Sequence, residues 1–203
     1  MTRIGIMGGT FDPIHIGHLV AAEEARIQFA LDKVIFMPAG RHAFKQDGTT
    51  SPEDRLFMTE LATLSNPHFE VSRLEIDRPG KTYTIDTIIE MRELYPDAEL
   101  CFITGTDAVF EILTWRDSAR LAGLVTFIAA VRPGYNLEAA KALHEQAEED
   151  FDIRYIEVPA LSISSTELRK RIREGRSVRY LVPANVLSYI ERKDLYESKR
   201  FEK

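Results

Sequence analysis

Eleven residues near the N-terminus concentrate the chemistry of this chain: Gly8-Gly9-Thr10-Phe11-Asp12-Pro13-Ile14-His15-Ile16-Gly17-His18. Two glycines after a short apolar run let the backbone turn sharply and let a ligand approach the main chain. His15 and His18 stand three apart at the mouth of an expected helix, so both can lie on one side of it. A helix start offers N–H groups and a positive dipole end, which suit phosphate. Gly17, between the histidines, leaves room for a flat ring or a phosphate against the backbone. Each part alone has a plainer reading. A Gly-Gly after a strand is usually a turn, and two histidines at this spacing are often surface residues or zinc ligands. The metal reading is weak because no cysteine or further histidine stands nearby. No Gly-Lys-Ser/Thr follows, so this is not a Walker A loop, and a dinucleotide fingerprint is absent as well.

A second constellation is Ile163-Ser164-Ser165-Thr166-Glu167-Leu168-Arg169. Ser164 and Glu167 have capping-box spacing, which alone predicts a well-capped helix. The same helix start, with its hydroxyls and N–H groups, can hold a phosphate, and Arg169 one turn in can add a charge-assisted contact. The two roles are compatible.

These motifs need a scaffold, and the rest of the sequence supplies one. Strands are expected at 4–7, 34–37, 69–76, 100–104, 124–131 and 153–158. Helices are expected at 17–30, from Ser51 onward, and at 84–94, 137–149, 166–173 and 184–192, with a polar loop at 38–50. Ser51-Pro52-Glu53-Asp54 has the signature of a helix start, a capping serine followed by proline and acids. Strand-helix alternation predicts an α/β fold with a mainly parallel sheet flanked by helices. Such sheets bind ligands beyond the carboxyl ends of their strands, where strand order reverses.

The chain has 203 residues, which fits a single domain at 1–203, with a small C-terminal helical part at about 164–196. At 44% hydrophobic and 29% charged it has the composition of a globular protein, not of a disordered one. The formal charge of −6 argues against a nucleic-acid partner but leaves nucleotides open, since they need only a local positive site. One cysteine, Cys101, excludes an internal disulfide framework and is expected as a small buried apolar residue. The longest apolar stretch, 121–131, is too short for a membrane span, and the N-terminal run lacks the features of a secretory signal. The expected setting is cytoplasmic, with no membrane partner; a homo-oligomer is left open.

Taken together, the two motifs resemble the adenylyltransferases of the HxGH nucleotidyltransferase superfamily. More closely, the chain is similar to the bacterial nicotinate-nucleotide adenylyltransferases, from Ile4 to Tyr196. Residues that carry the closer likeness include Thr82-Tyr83-Thr84-Ile85-Asp86-Thr87, Gly105-Thr106-Asp107, Thr114-Trp115, Arg132-Pro133-Gly134 and Tyr180-Leu181-Val182-Pro183.

The resemblance implies a Rossmann-like fold and two substrates, ATP and nicotinate mononucleotide, with Mg²⁺ held mainly by their phosphates and no metal ligands from the protein. ATP would lie over Gly8, Gly9, Thr10 and Phe11, with its phosphates between His15, His18 and the helix of Ser164, Ser165, Thr166 and Arg169. Gly105, Asp107 and Arg132 match positions that contact the adenosine. Trp115 matches the residue stacking on the nicotinate ring, and Thr10, Lys45, Tyr83, Thr84 and Arg116 its carboxylate and phosphate-sugar neighbourhood. His15, His18, Arg169 and Lys45 are the implied catalytic set. One segment departs from the family pattern: Arg41-His42-Ala43-Phe44-Lys45 places Phe44 where the family has a histidine, while Lys45 stays in register.

The implied reaction gives deamido-NAD and pyrophosphate. The nucleophile is already an anionic phosphate, so no general base is required, and positioning with charge stabilisation carries the catalysis. Three other readings stand beside it: a phosphopantetheine adenylyltransferase, the same reaction on nicotinamide mononucleotide, and a catalytically inactive nucleotide-sensing module.

Overall fold

A computed structural model describes residues 1–42, 50–105, 111–131, 138, 151–159 and 162–196. Eight strands appear among them: β1 (Thr2–Gly9), β2 (Lys33–Pro38), β3 (Arg41–His42), β4 (Phe69–Val71), β5 (Lys81–Thr82), β6 (Ala98–Gly105), β7 (Thr126–Val131) and β8 (Ile153–Glu157). The helices are α1 (Ile16–Gln28), α2 (Pro52–Thr63), α3 (Leu74–Asp77), α4 (Thr84–Leu94), α5 (Ser118–Ala122), α6 (Ser165–Arg173) and α7 (Ala184–Arg192). A 3-10 turn at Ile112–Thr114 precedes α5.

Six strands form one sheet in the order β4-β2-β1-β6-β7-β8. Every pairing in it is parallel. Strand order reverses between β2 and β6, on either side of β1, which opens a crevice beyond the carboxyl end of β1. The apolar residues of β1 are buried on both faces, as a central parallel strand requires. Its side chains alternate: Ile4 and Ile6 enter one core with Leu100, Phe102 and Phe127, and Met7 enters the other with Cys101, Ile103 and Ile128. The first of these cores also holds Ile88 and Met91 of α4 and Leu121 of α5. The second takes Ala22 of α1, Met58 of α2, Leu168 of α6 and Val186 and Ile190 of α7. The C-terminal helices therefore share a core with the sheet. Cys101 is buried, and burial raises its thiol to about 11.

Sequence expectation and structure agree over most elements, and α4 and α7 match to the residue. Three differ. The strand expected at 69–76 stops at Val71, and α3 begins at Leu74. Ser72 donates its N–H to the Phe36 carbonyl at 2.9 Å, the end of the pairing with β2. Its hydroxyl then accepts from Leu74 N–H at 3.2 Å, a local bond that turns the chain into a helix. The expected loop at 38–50 contains β3, which pairs with β5 in a separate two-stranded sheet. No local periodicity encodes a pairing over that separation. Helix α1 ends at Gln28, not at residue 30, because Ala30 turns to φ 50°. The acidic helix expected at 137–149 lies outside the described residues apart from helical Glu138, and the charged tail 197–203 lies wholly outside them.

Candidate active site

The site begins where β1 ends. Gly8 and Gly9 close the strand, and alternation sends them to opposite faces. A Cβ on Gly8 would sit 3.0 Å from the Phe102 ring, and one on Gly9 would sit 2.9 Å from the Phe11 ring. Both glycines thus give space to aromatic rings that pack under the turn. Phe11 is buried at φ 50°, a left-handed conformation unusual for a bulky residue. It meets Phe36 at 5.9 Å and the edge of His18 at 5.1 Å between centroids. These contacts fix the turn that delivers the chain into α1.

His15 is the N-cap of α1, in extended conformation, and is buried. Its backbone N–H donates to Nδ1 of His18 at 3.2 Å. His18 thereby fills the place that glutamate usually takes in a capping box. The bond fixes the tautomer: Nδ1 accepts, so the N–H donor of the neutral ring is Nε2. The two imidazoles stack at 3.6 Å and 22°. A Cβ on Gly17 would press within 3.1 Å of His15 Nδ1, so glycine keeps the pair in place.

The second motif docks on the first. Ser164 caps α6, its hydroxyl accepting from Glu167 N–H at 3.2 Å. The Ser165 hydroxyl donates to the Pro13 carbonyl at 2.9 Å, and Arg169 Nη1 donates to the Asp12 carbonyl at 2.7 Å. Arg169 Nη2 also reaches Thr166 Oγ1 at 3.4 Å. A third segment joins them, as Ile16 N–H donates to the Leu181 carbonyl at 3.0 Å. The start of α1 opens on a cleft of about 180 Å³, whose lining includes Gly8, His15, Gly17, His18, Gly105 and Ile163, the residue just before the cap of α6.

Beneath the turn lies a network that the sequence does not announce. Arg55 of α2 is buried, with its guanidinium donating to the carbonyls of Thr10 at 2.7 Å, Ala39 at 2.6 Å, Gly40 at 3.0 Å and Thr50 at 3.3 Å. Burial pulls its pKa down and the Asp12 carboxylate pushes it up. Asp12 is only 1% exposed; Oδ1 accepts from the Tyr196 hydroxyl at 2.7 Å, and Oδ2 lies 3.9 Å from Arg169 Nη1. The capping and glycine signals mark the motif itself, whereas Arg55 and Tyr196 carry no local signature.

On the other face of the sheet the fold assembles the remaining described candidates. Tyr83 is the N-cap of α4 and Thr84 its first residue. The Arg116 guanidinium lies over the Tyr83 ring at 4.7 Å and 4.0 Å from Asp86. Trp115 is half-buried and meets Phe102 and Phe127 edge-on, at 6.1 and 6.4 Å between centroids. It is therefore partly a core residue, with one side of the ring at the surface. Phe102 joins this face to the turn, touching Trp115 and filling the space beside Gly8. Below this region the Glu75 carboxyl is buried, which raises it to about 7. Its Oε1 accepts from the Thr87 hydroxyl at 2.7 Å, and that hydroxyl accepts from Arg78 at 3.1 Å.

Lys45, Phe44, Asp107 and Arg132 lie outside the described residues, as do the side chains of Arg41 and His42. Among the described residues, no group of three or more His, Cys, Asp or Glu could hold a metal ion. No described helix is long and apolar enough to cross a membrane.

Comparison with known proteins adds to this geometry. The cytidylyltransferase-like family model matches residues 6–171. A probable nicotinate-nucleotide adenylyltransferase of Corynebacterium kroppenstedtii is 52% identical over 195 residues, 96% of this chain and 90% of that protein. Another, from Moorella thermoacetica, is 54% identical over 198 residues, 96% of this chain and 91% of the relative. Among solved structures, Plasmodium falciparum nicotinic acid mononucleotide adenylyltransferase complexed with NaAD superposes with a TM-score of 0.80. It has 20% sequence identity and covers 97% of this chain and 98% of its own. The likeness to that structure is one of fold.

Proposed function

The chain belongs to the nicotinate-nucleotide adenylyltransferases of the cytidylyltransferase-like family, and we propose that its two-sided site joins ATP to nicotinate mononucleotide. It is a nucleotidyltransferase of NAD biosynthesis, transferring the adenylyl group and releasing pyrophosphate. One observation carries the assignment of the site. The Ser164–Arg169 helix start, far away in sequence, docks through Ser165 and Arg169 on the Asp12-Pro13 backbone that leads into the His15/His18 helix, whose histidines line a cleft with Gly8, Gly105 and Ile163.

In this reading the triphosphate of ATP occupies the cleft between α1 and α6, with the adenosine towards Gly105, Asp107 and Arg132. The nicotinate ring lies on Trp115, beside Tyr83, Thr84 and Arg116, and Thr10 borders both substrates. Lys45 contributes to phosphate binding. The mononucleotide phosphate attacks the α-phosphorus, and negative charge grows on the departing pyrophosphate. His18 donates from Nε2 to that charge because Nδ1 is taken by the His15 N–H. His15, Arg169 and the N–H groups opening α1 and α6 add further donors, already oriented before reaction. The donor set suits phosphate oxygens, and no carboxylate stands among the described residues of the cleft lining, so Mg²⁺ would be held through the nucleotide. When bound, the ion offsets phosphate charge. The setting proposed is cytoplasmic.

The test is pyrophosphate release from ATP with each mononucleotide in turn. Turnover with nicotinate mononucleotide should far exceed turnover with its amide or with phosphopantetheine. Preferential turnover of either rival, or none with any, overturns the assignment.

A further inference from the structure

The C-terminal turn reaches back into the catalytic loop through one hydroxyl. Tyr196 follows α7 by four residues, and its ring packs against the core that contains Phe11 and Met58. Two residues of this turn, Asp194 at φ 52° and Tyr196 at φ 68°, hold left-handed backbone that L side chains rarely adopt. Such conformations persist where the surroundings over-determine them. Here the anchor is the Tyr196 hydroxyl, which donates to Asp12 Oδ1 at 2.7 Å and also bonds Thr50.

Asp12 has two claimants at its oxygens, since the Arg55 guanidinium, which also feels its charge, is committed to the carbonyls of Thr10, Ala39, Gly40 and Thr50. Tyr196 serves Oδ1, and Oδ2 faces Arg169 Nη1 at 3.9 Å, beyond hydrogen-bond reach. Arg169 is held instead by the neutral carbonyl of the same residue, at 2.7 Å. A buried carboxylate needs donors. Without the tyrosine hydroxyl, a near cation able to supply one is Arg169.

We propose that Tyr196 is a positioning residue: by donating to the buried Asp12 carboxylate, it keeps Arg169 from collapsing onto that carboxylate and leaves the guanidinium turned towards the leaving phosphates. The inference rests on the placement of the ATP phosphates proposed above. Tyr196 touches no substrate and acts on Arg169 through Asp12. Removing the hydroxyl while keeping the ring draws Arg169 into a closer pair with Asp12, and the β- and γ-phosphates lose a donor.

Calorimetry of ATP and of AMP on wild type and Tyr196→Phe tests this, with thermal unfolding run in parallel. The expected result is an ATP affinity lower by about tenfold, the scale of one hydrogen bond to a charged group. AMP lacks the distal phosphates, so its affinity should stay within about twofold. A structural role would move both nucleotides together, and that result, or no change in either, overturns the proposal. If Tyr196→Phe unfolds, the same comparison on an Asp12→Asn background decides. With the carboxylate already neutral, adding Tyr196→Phe should leave the ATP-to-AMP affinity ratio unchanged, and a further selective loss for ATP overturns the proposal. Neither outcome depends on nicotinate mononucleotide, so failure of the proposed reaction shows separately, as absent pyrophosphate release in the wild type.

Discussion

The two faces of the sheet at the end of β1 are built from different forces. On the α1 side, hydrogen bonds fix the parts: His15 to His18, Ser165 to Pro13, Arg169 to Asp12, Arg55 to Thr10. On the α4 side, ring contacts dominate: Trp115 against Phe102 and Phe127, Arg116 over Tyr83. Oriented donors are what a developing charge needs, since they need no reorganisation as it forms. Planar surfaces are what a flat ring needs, and they tolerate small displacements. In the proposed reaction this contrast would give rate to one face and recognition to the other.

His18→Ala strikes the first face hardest. Pyrophosphate release should show a kcat lower by about 10² to 10³, the usual cost of one charge-stabilising donor, with an unchanged fold by circular dichroism. Near-normal kcat would mean that the α1 face does not set the rate. Trp115→Ala strikes the second face. The KM for nicotinate mononucleotide should rise roughly tenfold to a hundredfold, in line with the worth of ring stacking, while that for ATP stays within about twofold. Equal rises would dissolve the division between the faces, because Trp115 would then be acting through the core it shares with Phe102.

A smaller effect comes from Glu75 beneath the second face. Burial raises its carboxyl from 4.5 to about 7, opposed by the Thr87 hydroxyl, Arg78 and Arg55 and helped by Glu90. A carboxyl raised on folding takes up protons in the folded state, so its contribution is full below pH 4.5 and is lost as pH rises through about 7. Melting temperature measured across that window should fall less steeply in Glu75→Gln than in the wild type. Parallel curves would remove Glu75 from the pH response.

Much of this was legible in the residues. The chemistry of the 8–18 and 163–169 segments is local, as are the capping spacings and the apolar periods that produced α4 and α7. The failures share a cause. Arg55 reads as one charge on an amphipathic helix, because three of its carbonyl partners lie on a different stretch of chain, at Thr10, Ala39 and Gly40. Tyr196 reads only as the last residue before the charged tail, yet its partner is Asp12. The run at 69–76 is apolar enough for a strand, but a serine side chain wins the competition at Ser72. Local pattern reveals elements and motifs; bonds closed across the fold reveal what holds them.

The alternation of β1 has a final consequence. Gly8 and Gly9 are neighbours in the chain, yet Gly8 makes room for the Phe102 ring on the α4 side and Gly9 for the Phe11 ring on the α1 side. Inserting a single residue between Ile6 and Gly8 would put the glycine pair out of step with Ile4 and Ile6 and exchange these duties relative to the rest of the strand. Two residues would restore the facing. Between Ile4 and Gly8 this strand can therefore change length only in even steps, a parity rule that any redesign of the domain must respect.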